Sequence, residues 1–179
     1  MAVRIRRRLV IDSDVMRAAG REGTISPVAR ECRLFLEAVL SICHGMALSG
    51  ELYEEWRRHL SAYAREWRIS MVGRKKLAYV GDVSRQEFRH AISSAAATER
   101  QRRVMLKDDL LIEAAIAADR IVISCDNEAR DLFGSAVNRI PNLCDIAWVN
   151  PTEHHDNVLQ WLQEGAKPRP DLLLGFSRK

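Results

Sequence analysis

The stretch KDDLLIEAAIAADRIVISCDNEARDLF, Lys107–Phe133, decides the fold. Its first half runs small and apolar side chains behind two acids, the pattern of a helix start followed by a buried helix. DRIVISCD is rich in β-branched residues, reads as a strand and closes on Asp126. EARDLFG then reads as a short helix stopped by Gly134. A helix feeding a short apolar strand, followed by another helix, is the repeating unit of a parallel sheet.

The same alternation extends in both directions. RRLVI is a short strand, and LVIDSDV, Leu9–Val15, places Asp12 where that strand leaves the core. ISPVARECRLFLEAVLSICHG starts a helix with Ser26 as cap and Pro27 at the first helical position. GMALS is a second strand, and Ser49 is placed to cap GELYEEWRRHLSAYAREW. There Leu52, Trp56, Leu60, Tyr63 and Trp67 form one apolar stripe at steps of three and four, which predicts one continuous helix. MVGRKKLAYVGD predicts turns near Gly73 and Gly81. Ser84 and Glu87 stand at capping-box spacing, and TERQRRVMLKDD reads as a loop or short helix. CDIAWVNP reads as a last strand ended by Pro151, and TEHHDNVLQWLQEGA as a closing helix. The expectation is an α/β domain with a mainly parallel sheet, one domain over residues 1–165, and a partly disordered tail, 166–179.

The 179 residues are 47% hydrophobic and 29% charged, ordinary values for a globular chain with a substantial core. No apolar run reaches the roughly 18 residues a membrane span needs. The basic, then apolar, N-terminus reads as a first strand, because its apolar stretch is short and ends in acids. A cytoplasmic protein with no membrane partner is expected. Cys32, Cys43, Cys125 and Cys144 form no CxxC pair and read as buried free thiols. His154 and His155 read as part of a solvated turn or helix start. Residues 57–107 hold 13 Lys or Arg against 4 Asp or Glu, while the remainder carries 15 bases and 20 acids. A basic middle beside a carboxylate-rich remainder suits a polyanion, although helical Arg and Lys also serve simply as solvated surface.

In an open parallel sheet, ligands bind beyond the carboxyl ends of the strands. Asp12 and Asp126 both fall there; Asp108 and Asp109 begin the helix that leads into the second of these strands. Each acid has a structural alternative. Asp14, Asp108 and Asp126 suit helix caps, and Glu55 sits in a solvated acidic run with Glu51 and Glu54.

In LVIDSDV, MALSGELYEEWRRHL and the Lys107–Phe133 stretch the chain resembles the PIN-domain nucleases. These are α/β proteins that cleave RNA, or DNA in some branches, with three or four acids and a divalent metal. The first motif is similar to the family's opening strand and Asp, with Asp14 where Asn is commoner. The second is similar to a strand, a Ser and a helix with Glu six residues after the Ser, which selects Glu55. The third is similar to an Asp opening a small-residue helix about 18 positions before a final Asp preceded by a small hydroxyl residue. That spacing prefers Asp108 to Asp109 and matches Ser124. CDIAWVNPTE is similar to the family's late strand. The resemblance implies a PIN-like three-layer α/β/α fold with a central, mainly parallel sheet.

It further implies a catalytic set of Asp12, Glu55, Asp108 and Asp126, with Asp109 as an alternative metal ligand, holding Mg²⁺ or Mn²⁺. Both are hard cations that prefer oxygen donors. Ser13, Asp14 and Ser124 would support the set, and crowded carboxylates should bind protons tightly without metal. The implied activity is an endoribonuclease, with RNA or DNA as substrate, an antitoxin protein as inhibitor and a homodimer as assembly. Two other classes compete: a nucleic-acid-binding module with an inactive site, and a haloacid-dehalogenase-like phosphatase, whose opening DSDV resembles but whose lysine and second hydroxyl strand find no match.

Overall fold

Five short strands, β1 (Arg8–Ile11), β2 (Gly45–Leu48), β3 (Leu77–Tyr79), β4 (Ile121–Ile123) and β5 (Ala147–Val149), form one sheet. Their order is β3-β2-β1-β4-β5, and every pairing is parallel. The structure, a computed structural model, describes residues 6–20, 26–59, 61–153 and 157–176. Among the described residues there are nine α-helices. They are α1 (Ser13–Ala19), α2 (Pro27–Ser41), α3 (Gly50–His59), α4 (Ala62–Gly73), α5 (Gln86–Ala95), α6 (Glu99–Lys107), α7 (Asp109–Ile116), α8 (Asn127–Ser135) and α9 (Val158–Gln163). The chain is therefore α/β with a five-stranded, all-parallel sheet. From β1 the first crossovers step one way along the sheet, and those into β4 and β5 step the other way. Right-handed crossovers consequently send helices to both faces. No helix among the described residues is long and apolar enough to cross a membrane.

The strands are too short to carry alternation; β1 beyond Arg8, β2, β4 and β5 are buried throughout. That is the expected state of a parallel sheet covered on both faces, and it explains why these segments read as unbroken apolar runs. Trp56 and Trp67 pack together at 6.4 Å between ring centroids. The Trp56 indole N–H donates to the Ile11 carbonyl (3.1 Å), and that of Trp67 to the Leu36 carbonyl (2.7 Å). These bonds pin α3 to the end of β1 and α4 to α2.

Several expectations are corrected. The stripe from Leu52 to Trp67 belongs to two helices: Ser61 accepts the Ala64 N–H and starts α4 anew. Leu60 lies outside the described residues, as do His154 and His155. The basic segment contains a strand, β3, which the expected turns had hidden. The Ser84/Glu87 capping box does not form. Instead the cap position of α5 falls one residue later, at Arg85, whose N–H donates to the carboxylate of Glu113 (2.7 Å). Ser26 holds the cap position of α2 without a side-chain cap bond, and α8 continues through Gly134 to Ser135. Of the four free cysteines only Cys32 is fully buried, and Cys144 is exposed. The described part of the tail docks on the domain: Leu172 and Leu174 are buried, and the Leu174 N–H donates to the Ile146 carbonyl (2.9 Å). Two leucines in LLL suffice to dock it, because β5 is an edge strand with room beside it.

Candidate active site

The strand order changes direction between β1 and β4, and in such folds the carboxyl edge of the sheet at that point is the usual ligand position. Val10 pairs with Val122 and Ile11 with Ile123, and the Asp12 N–H donates to the Ile123 carbonyl (2.9 Å). Asp12 and Asp126 thus emerge from adjacent strands at one edge. Asp12 caps α1, its Oδ1 lying 3.3 Å from both the Asp14 N–H and the Ser13 hydroxyl. Asp126 caps α8 by accepting the Ala129 N–H (2.8 Å). Each cap uses one oxygen of its carboxylate.

Ser124 joins the two strand ends. Its hydroxyl donates to Asp12 Oδ2 (2.9 Å), lies 3.3 Å from Asp14 Oδ2, and accepts the Asp126 N–H (3.0 Å). Asp14 Oδ2 also accepts the Cys125 N–H (3.0 Å), whereas its Oδ1 is buried without a hydrogen-bond partner. Burial, and then the charge of Asp12, push the Asp14 carboxyl up to about 7.

Asp108 opens α7, which packs against β1, β2 and β4. It holds the N-cap position but makes no side-chain cap bond, so the cap reading fails for it. Its side chain is almost wholly buried, and Oδ2 has no hydrogen-bond partner. Burial pushes its carboxyl up to about 7, and the charges of Asp12, Asp126 and Glu55 push the same way. Lys107, with Nζ 3.8 Å from Asp108 Oδ1, opposes them. The charge of Asp108 in turn raises the Lys107 ammonium above its ordinary value, aided by Asp12, Asp126 and Asp14. Lys107 was not singled out in the sequence, although a base directly before an acid pair was a usable signal.

Asp109 is turned to a different partner. Its side chain is 2% exposed and accepts a 2.6 Å ion pair from Arg89 on α5. Glu55, half-buried on α3, is close enough for its charge to act on Asp108, while Glu54 is exposed and pairs with Arg57 at 3.4 Å.

The donor set at this edge is all carboxylate and hydroxyl oxygen, with buried acceptors left unpartnered on Asp14 and Asp108. That chemistry suits a hard divalent cation. Among the described residues, no group of three or more His, Cys, Asp or Glu stands close enough to hold a metal ion as oriented. Coordination would require further convergence of Asp12, Asp108, Asp126 and Glu55. No protein-family model matches the chain, and neither a curated protein nor a solved structure matches it significantly.

Proposed function

We propose that this chain is a PIN-like, metal-dependent nuclease that hydrolyses phosphodiester bonds of RNA. The observation that carries the reading is Asp108: a buried carboxylate with an unpartnered oxygen, lying in the field of Asp12, Asp126 and Glu55. Like charges brought together at one edge of the sheet are costly unless a cation is to be bound there. Asp12, Asp108, Asp126 and Glu55 would hold Mg²⁺ or Mn²⁺; Asp109, the alternative ligand, pairs with Arg89. Such an ion, when bound, polarises the scissile phosphate and acidifies a water. The chain's own part is to hold Asp12 in orientation through Ser124 and to place Lys107 beside the reacting phosphate. Arg57, Arg58, Arg100 and Arg103, exposed on α3 and α6, would grip the strand away from the cut.

A second reading, a nucleic-acid-binding module that does not cut, is favoured by the incomplete convergence of the carboxylates. One experiment separates the two. Purified protein with Mn²⁺ should cleave structured RNA, and Asp12→Asn should abolish cleavage. Cleavage that survives excess EDTA sinks the metal mechanism, and salt-sensitive RNA binding without cleavage establishes the module. Toxicity, an antitoxin and a homodimer belong to the same proposal. Growth arrest on expression that Asp12→Asn relieves would support the toxicity.

A further inference from the structure

Cys32 and Cys125 lie 93 positions apart in the chain, yet their Sγ atoms stand 3.6 Å from each other, and both cysteines are free. Cys32 is fully buried within α2, and Cys125 is half-buried in the segment joining β4 to α8. That segment belongs to the candidate site, because Ser124 precedes Cys125 and Asp126 follows it. The Cys125 N–H donates to Asp14 Oδ2 (3.0 Å), and its carbonyl accepts the Asn150 side-chain amide (3.3 Å). Two sulfurs already in van der Waals contact need close by only about 1.5 Å to reach the roughly 2.05 Å of a disulfide. The bridge would tie α2 to the turn that sets the spacing of Asp12 and Asp126.

We infer that Cys32 and Cys125 form an oxidation site, which a hydroperoxide closes into a disulfide that distorts the adjacent carboxylate edge. Cys125, the more accessible thiol, takes one oxygen from the peroxide; the O–O bond breaks and the other oxygen leaves as water. Cys32 Sγ then attacks Cys125 Sγ, so that the S–S bond forms and the S–O bond breaks. The departing hydroxide leaves as water with the Cys32 proton, and the two electrons lost by the sulfurs have gone to the peroxide. The hydrogen bond with Cys32, and then burial, push the Cys125 thiol up, so thiolate is scarce and the pair answers to excess oxidant, not to traces. A bridge across so long a loop restricts the unfolded chain and favours the oxidised fold. Cys32 is held within a helix, so the turn takes up the closure and draws Ser124 and Asp126 with it. The 2.9 Å bond from Ser124 to Asp12 is then strained. The disulfide needs nothing from the nuclease reading; only its effect on metal binding rests on it.

The test treats the full, metal-free chain with excess hydrogen peroxide, then alkylates it and maps its peptides without reduction. The expected product is a Cys32–Cys125 link that dithiothreitol reverses. In the linked protein, hydrogen exchange at the Cys125 and Asp126 amides should quicken, since their bonds to Asp14 and Ser124 are stretched. Mn²⁺ affinity by calorimetry should fall about tenfold. Cys32→Ala, given the same treatment, should keep the Mn²⁺ affinity of the reduced wild type. Cys125→Ala should do the same and guards against a Cys32 variant that fails to fold. The inference is overturned by the absence of a link, or by a lasting oxide on Cys125 beside an unmodified Cys32. A link that leaves amide exchange unchanged, or measurable Mn²⁺ binding unchanged, overturns it as well. A link with quickened exchange in a chain that binds no Mn²⁺ when reduced would sink only the metal reading, and Mn²⁺ binding without a link only this one.

Discussion

Ser124 Oγ donates a 2.9 Å hydrogen bond to Oδ2 of Asp12, 112 residues earlier in the chain, and accepts the Asp126 N–H on its other side. A single hydroxyl thus fixes the spacing between the two carboxylates at the strand ends. Partners that orient ligating carboxylates typically matter ten- to a hundredfold. Ser124→Ala should therefore lower Mn²⁺ affinity by about tenfold or more, measured by calorimetry, while the far-ultraviolet circular dichroism stays unchanged. Unaltered Mn²⁺ binding would remove Ser124 from the site.

Asp108 gives the stability a characteristic pH dependence. Its carboxyl is pushed up to about 7 in the folded state from an ordinary value of 3.8. Between those values the folded state holds a proton that the unfolded state has released, so the favourable contribution is complete below about 4 and lost as pH rises through about 7. The metal-free protein should melt lower at pH 8 than Asp108→Asn, relative to their difference at pH 4. Mn²⁺ should narrow that gap only in the wild type, since binding requires the ionised carboxylate. Parallel melting curves for the two proteins across this range would contradict the assignment.

Asp108 and Asp109 also show what the sequence withheld. Both are acids at one helix start, and spacing alone favours the first only weakly. What distinguishes them in the structure is Arg89, 20 residues before Asp109 on another helix, which pairs with Asp109. The edge strand β3 was hidden because Leu77 and Ala78 are only half-buried and Tyr79 is exposed, among basic neighbours that carry no strand signal. The break between α3 and α4 was hidden because the apolar stripe runs across it. The central strands β1 and β4 were legible for the converse reason: burial on both faces demands β-branched runs, and their exit from the core demands polar residues. The two aspartates of LVIDSDV are therefore both explained. Asp12 caps α1 and takes the Ser124 hydroxyl, and Asp14 ties α1 to the end of β4.

The Arg89–Asp109 pair should be structural. Removing one member of a buried pair costs roughly 3–5 kcal/mol, and Arg89 is half-exposed, so Arg89→Met should cost about 2–3 kcal/mol by urea unfolding. Mn²⁺ affinity should not change. A tenfold loss of Mn²⁺ binding in the folded variant would return Asp109 to the ligand set.

Lys107 occupies the opposite position: mostly exposed, 3.8 Å from Asp108 and within the field of three further aspartates. A fixed positive charge there attracts phosphate and repels a metal ion. Its exposure limits the effect to the range of surface pairs, about 0.2–1 kcal/mol. Lys107→Met should accordingly bind Mn²⁺ up to about fivefold tighter in low salt, with the gain shrinking as salt screens the charge. The same substitution should weaken RNA binding in EDTA, because the site loses a cation that the phosphate would meet. Tighter metal with weaker RNA is the signature of a charge that serves the substrate, whereas a lysine that merely solvates the helix end would move neither. Weaker Mn²⁺ binding in Lys107→Met would show that the side chain supports the carboxylates instead of competing for them.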